Sequence, residues 1–377
     1  MTRMPEPLVP DGRTHVLWRG RRLVYFGGCD YFRMASHSAT RRAAADAARR
    51  YGLSVGASRL TTGNLPILLE LESALARFLR APRALVVASG ATANLALAES
   101  LVGRFSHVLI DERAHPTLRD AVERLGARVL AFRHRAVEAV RSRSRRLPAG
   151  ARCLLATDGV FPLDGAIAPL ADYRKTLPAD AILWVDDCHG AGTLGAAGAG
   201  TAEYWKLPQR ALVRTATLSK AFGSFGGVIL GSRECVDGVL QRSRTFASTT
   251  PPPPTSVAAA MEAIRLLEAD PGLRERLHER VHYVRGVLAK AGLVECGVES
   301  PEGTAPIVGV VPRSVVEQKR LQNRLLARRI FPSFIRYPGG PETGLFRFGI
   351  SSEHTPAQIE SLLRALVDSP TTSAVIR

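Results

Sequence analysis

From about residue 40 to 250 the chain alternates helical periodicity with short apolar runs: "RALVVAS" (83–89), "HVLIDE" (107–112), "RVLAFR" (128–133), "RCLLATD" (152–158), "AILWVDD" (181–187) and "GGVILGS" (226–232). Strands that are apolar on both faces and separated by helices predict a largely parallel sheet covered on two sides, hence an α/β domain. In such sheets ligands bind beyond the carboxyl ends of the strands, so the polar residues that close each run are the ones to inspect. The run "STTPPPPTS" (248–256) cannot continue a helix or a central strand, because proline fixes φ and lacks a backbone donor. It is read as a boundary. Beyond it come one long amphipathic helix over about 256–291, "APIVGVVP", a helix near 315–329, "LFRFGIS" and a closing helix from Thr355. The expected organisation is an N-terminal arm (1–40), a large domain (41–255) and a smaller α+β domain (256–377), with no internal repeat.

Composition narrows this picture. The chain has 377 residues, 46% of them hydrophobic, enough for one large core or two unequal ones. The N-terminus lacks an apolar signal segment and no run approaches a membrane span, so the cytoplasm is the expected compartment. Five scattered cysteines, Cys29, Cys153, Cys188, Cys235 and Cys296, have no paired spacing. They read as reduced thiols rather than a disulfide framework or a zinc site. The formal charge of +17 comes mostly from arginine spread along the sequence. Its densest run, 132–150, lacks interleaved aromatics or a nucleic-acid-binding motif, which leaves a solvated helix face or a dock for an acidic partner such as an acyl carrier protein or the phosphates of coenzyme A. No nucleic-acid partner is expected.

Four segments carry candidate chemistry. "TATLSKAFGSFGG" (215–227) sets Lys220 among small, hydroxyl and glycine residues, where burial would free its amine as a nucleophile. "AILWVDDCHGAG" ends a strand in Asp186 and Asp187, with His189 close behind; a carboxylate there needs a positive partner, a capping role or a metal, although no further ligand set accompanies it. "VVASGATAN" turns at Gly90 and opens a helix with Ala91 and Thr92, as an ordinary strand-to-helix turn does and as an anion site does. "LIDERAHPTL" places His115 before Pro116, in an extended loop where a flat ring could stack on a planar cofactor. One cofactor uses all four: pyridoxal 5′-phosphate needs a Schiff-base lysine, an acid for its pyridine nitrogen and an anion site.

With these segments in order, the sequence resembles the α-oxoamine synthases, fold-type I enzymes that use pyridoxal phosphate. The resemblance runs from "CDYFRMASH" near residue 29 to "LFRFGISSEHT" near 355, through "GASRLTTGN", "LELESALARFL", "SGATAN", "DERAHPTL", "TDGVFPLDG", "VDDCHGAGTLG", "TLSKAFG" and "STTPPP". It implies that Lys220 forms the Schiff base, Asp186 pairs with the pyridine nitrogen, His189 meets the ring hydroxyl and His115 stacks on the ring. It also implies Ala91, Thr92 and Thr217 on the phosphate, with Ser248 or Thr249 reaching that phosphate from the second subunit of a homodimer. Arg347 would pair with the substrate carboxylate. The implied reaction condenses a small amino acid with an acyl thioester of coenzyme A or a carrier protein, with loss of carbon dioxide. Three departures touch the substrates: Cys29 stands where the family has asparagine, Leu68 replaces a histidine, and "DGVFPLDG" puts Asp158 and Pro162 where glutamate and serine are usual. Other pyridoxal-phosphate reactions on amino acids, such as transamination, racemisation or aldol cleavage, and a non-catalytic basic binding protein stand as the alternatives.

Overall fold

Three sheets organise the computed structural model, which describes residues 4–291, 305–337 and 340–367. The N-terminal meander consists of β1 (Val9–Asp11), β2 (His15–Trp18) and β3 (Arg21–Val24), all antiparallel. The main sheet has seven strands: β4 (Arg83–Val87), β5 (His107–Asp111), β6 (Arg128–Phe132), β7 (Cys153–Asp158), β8 (Ile182–Asp186), β9 (Leu212–Thr217) and β10 (Gly227–Gly231). Their order is β4-β10-β9-β8-β7-β5-β6. All neighbours are parallel except β10, which runs against both β4 and β9. The third sheet places β13 (Leu345–Gly349) between β11 (Ile307–Val310) and β12 (Phe334–Ile335).

These elements belong to two units. The larger spans Ser38–Phe161 and Ile167–Pro271, and the smaller takes the described parts of 1–37, 162–166 and 272–377. In the larger unit β7 is buried along its whole length, as a run apolar on both faces should be. One core cluster gathers Leu97 and Leu101 of the helix Gly90–Leu101, Leu118 and Val122 of the helix Pro116–Glu123, and Trp184, Ile229 and Val236.

The structure redraws the expected pattern in three places. Strand β9 is absent from the apolar runs because Arg214, Thr215 and Thr217 give it a polar look, yet it is fully buried. Arg214 can sit there because its guanidinium donates to Ala199 O at 2.8 Å and Leu79 O at 2.5 Å and pairs with Asp187 at 3.5 Å. The long helix expected over 256–291 is two helices, Pro254–Ala269 and Gly272–Lys290. Asp270 stands before Pro271, which disfavours helical geometry at the aspartate, and it takes φ −125° and ψ 85°. The unit boundary falls at that break, so Pro254–Ala269 packs with the helices Ser38–Tyr51 and Pro66–Phe78 of the larger unit although the sequence reading began the small domain at 256. Finally, the residues read as an arm contain a hairpin whose two-residue loop, Arg19 and Gly20, has φ of 51° and 71°. That is the loop that matches the twist of two antiparallel strands. No described helix is long and apolar enough to cross a membrane. Of the five cysteines, Cys29, Cys153, Cys188 and Cys235 are free thiols, while Cys296 lies outside the described residues.

Candidate active site

The carboxyl ends of β7, β8 and β9 open onto a cavity of about 180 Å³ in the larger unit. Its wall comprises Gly90, Ala91, His115, Thr117, Asp158, Asp186, Cys188, His189, Thr217, Ser219 and Lys220. Six of the residues expected to hold the cofactor therefore meet in one place, Lys220, Asp186, His189, His115, Ala91 and Thr217, together with Asp158.

Each is set there by local structure. Asp186 is the last residue of β8. Its carboxylate accepts from Asn94 Nδ2 at 2.9 Å and from Cys188 N at 3.1 Å. His115 caps the helix Pro116–Glu123, with Pro116 at the first helical position, where a missing N–H costs nothing. The Thr117 amide and hydroxyl reach His115 Nδ1 at 3.3 and 2.8 Å. Two donors on Nδ1 leave the ring proton on Nε2. Burial holds the imidazole below its usual pKa, against the pull of Asp186, so the ring is neutral at pH 7.

Asn94 ties these groups together and was not singled out in the sequence. One of its amide protons goes to Asp186 and the other to Thr117 Oγ1 at 3.1 Å. Its carbonyl accepts from Thr215 Oγ1 at 2.6 Å, and Thr215 in turn receives Trp184 Nε1 at 3.4 Å. A single amide thus fixes both the acid and the histidine. The available signal was an asparagine buried in the apolar "ATANLALA" helix, where only a satisfied network justifies it. Ser219 and Cys188 were likewise missed as wall residues. Thr217 Oγ1 donates to Gly226 O at 3.0 Å, so in its 2.8 Å pair with the Ser219 hydroxyl it accepts.

Close backbone approach shapes the helix entry. A Cβ on Gly227 would lie 2.0 Å from Ser89 O and 2.8 Å from Gly90 N, so β10 can begin beside the helix start only with a glycine. Ser89 caps that helix by accepting the Thr92 amide at 3.1 Å, and its hydroxyl also meets Thr92 Oγ1 at 2.7 Å. Thr92 is consequently spent on the cap and does not line the cavity, which leaves Gly90 and Ala91 at the wall. Ser248 and Thr249 do not line it either; their hydroxyls turn back to Arg244 O and Thr245 O. Arg347 and Cys29 belong to the smaller unit, where Arg347 Nη2 meets Cys29 Sγ at 3.2 Å. Arg347 Nε is buried with no partner among the described residues.

The wall fits pyridoxal phosphate by the chemistry of its donors. It offers an acid held in place by two donors, an amine, a flat neutral ring, and a helix start flanked by two hydroxyls. Comparison with known proteins agrees. Residues 24–366 match the model of the family described as aminotransferase class I and II. The 8-amino-7-oxononanoate synthase of Thioalkalivibrio sulfidiphilus is 37% identical over 92% of this chain and 88% of its own length. That of Nitrosococcus oceani is 36% identical over 92% of both. Among solved structures, serine palmitoyltransferase from S. paucimobilis with bound PLP covers 96% of this chain and 92% of its own, at 28% identity and a TM-score of 0.89.

Proposed function

The chain belongs to the aminotransferase class I and II family and within it to the α-oxoamine synthases, and from that premise we propose which residues carry the condensation and which substrates it joins. The observation that carries the reading is the cavity itself, which brings Lys220, Asp186, His115 and His189 together at the ends of the strands.

Pyridoxal 5′-phosphate, when bound, supplies a sink for negative charge at the amino-acid α-carbon. Asp186 holds the positive charge on its pyridine nitrogen, Ala91, Thr217 and Ser219 take the phosphate, His189 meets the ring hydroxyl, and neutral His115 lies on the ring face. Ser248 or Thr249 of a second copy completes the phosphate site in a homodimer. Lys220 Nζ would hold the cofactor and is the amine placed to take the proton from the substrate α-carbon. Arg347 binds the substrate carboxylate, a role for which its buried, unpartnered Nε leaves a donor in hand. Cys29 beside it gives only a weak donor, so the arginine carries most of that contact. The α-carbon would then bond to the thioester carbonyl carbon as the C–S bond breaks and the thiol leaves with that electron pair and a proton; the carboxylate departs as carbon dioxide, and the electron pair it leaves on the α-carbon takes up a proton.

The amino acid is small: glycine, serine or, by preference, alanine. The name 8-amino-7-oxononanoate borne by the relatives describes an amine beside a ketone, the pattern left when the two non-carboxyl carbons of alanine join an acyl group that ends in a carboxylate. The acyl donor rides on coenzyme A or a carrier protein. The test is thiol release from acyl-coenzyme A when the holoenzyme is offered each proteinogenic amino acid, with Lys220→Ala as blank. Release with alanine supports the assignment; release with another amino acid replaces alanine, and silence with coenzyme A thioesters leaves the carrier-protein donor as the one to supply.

A further inference from the structure

Asp158 has no part in the chemistry above, yet it lines the same cavity as Asp186 and Lys220. In the parallel pairing of β7 and β8 the two aspartates are register partners, Asp158 opposite Asp186. Neighbouring strands lie about 4.8 Å apart, so the two carboxyls stand side by side on one wall. Two carboxylates that close in a buried site cannot both stay charged. Their hydrogen bonds decide which one does. Asp186 accepts two donors, from Asn94 Nδ2 and Cys188 N. Asp158 accepts through Oδ2 from His115 N at 2.7 Å, a single bond that the carbonyl oxygen of a neutral acid can also accept.

We propose that Asp158 is a positioning residue that works as a neutral carboxyl: it holds the His115 backbone in place and leaves Asp186 as the one negative charge presented to the pyridine ring. The charged and titratable groups around it come from each neighbouring element, namely Asp186 from β8, Asp111 from β5, His115 from the loop after β5, and Lys220 from the loop after β9. Burial, then Asp186 and Asp111, favour the neutral form, and together they outweigh the His115 amide and Lys220. An aspartate here is therefore matched to its place. A second full charge beside Asp186 would compete with it for the pyridine nitrogen's proton, and a residue without an acceptor would leave the His115 amide buried and unpaired.

The inference rests on the function proposed above only for the direction in which Asp186 faces; the state of the carboxyl can be read without turnover. Infrared difference spectra of the holoenzyme, wild type minus Asp158→Asn at neutral pH, are expected to show the C=O band of a protonated carboxyl. Carboxylate bands alone overturn the proposal. In parallel, Asp158→Asn keeps an acceptor for His115 N and should hold kcat within about threefold of wild type, whereas Asp158→Ala, which removes it, should lose roughly tenfold or more. Asn falling as far as Ala, or Ala matching wild type, also overturns it. If Ala does not fold, the infrared band and the Asn variant decide alone. A wild-type holoenzyme that releases no thiol brings down the substrate assignment and leaves the infrared result standing.

Discussion

Asp186 and Asp187 are consecutive and both buried, yet their surroundings differ in kind. Asp186 faces the cavity with two hydrogen-bond donors, from a side-chain amide and a backbone amide, and the remainder of its carboxylate is open to what binds there. Asp187 is enclosed. It takes the Thr201 amide at 3.1 Å and hydroxyl at 2.9 Å, pairs with Arg214 at 3.5 Å, and has no exposed surface. A strand end that alternates its side chains can thus put a chemical acid and a structural acid on successive residues, and what is left open on each tells them apart.

The comparison breaks if the two residues exchange roles. The largest expected effect is on turnover: Asp186→Asn should cut thiol release by roughly 10²–10⁴-fold with little change in melting temperature, while Asp187→Asn keeps the rate within a few fold. Paired rate and calorimetric measurements check both halves at once. On the structural side, Arg214→Leu leaves Asp187 buried without its partner and should cost about 3–5 kcal/mol in urea unfolding. A smaller loss follows from Gly200, whose φ of +93° is rarely open to other residues and whose added Cβ would stand 2.2 Å from Asp187 Oδ2. Gly200→Ala should cost about 2 kcal/mol, again without touching the cavity wall.

The same contrast explains how much could be read from sequence. Asp186 and His115 close or follow apolar strands and Lys220 stands in a stretch of small, hydroxyl and glycine residues; these are local signals, so that part of the cavity was legible. Asn94 was not, because its role depends on partners 23, 92 and 121 residues away that only the fold assembles. Strand β9 was hidden for a related reason: Arg214 reads as polar until Asp187 and two backbone carbonyls are found around it. Thr92, expected on the phosphate, instead has its amide on the Ser89 cap, an arrangement that a serine three residues ahead could have signalled. The unit boundary was misplaced because four prolines outweigh one in the sequence, while the helix they precede continues the packing of the larger unit.

The finest prediction concerns pH. Burial pushes the Asp187 carboxyl from an ordinary 3.8 up to about 6, with Arg214 and the Thr201 hydrogen bonds pulling the other way. The folded protein then holds this proton more tightly than the unfolded chain does. The contribution is present in full below about pH 4 and is lost as pH rises through about 6. Asp187→Asn has no such proton to lose, so the stability difference between it and wild type should move about 1–3 kcal/mol in the variant's favour as pH rises from 4 to 7, whatever its offset from the lost partner of Arg214. Urea midpoints measured across that interval for both proteins give the difference directly. A difference that stays flat would mean that Arg214 keeps Asp187 ionised throughout, and the enclosed acid would then be held by its ion pair rather than by its proton.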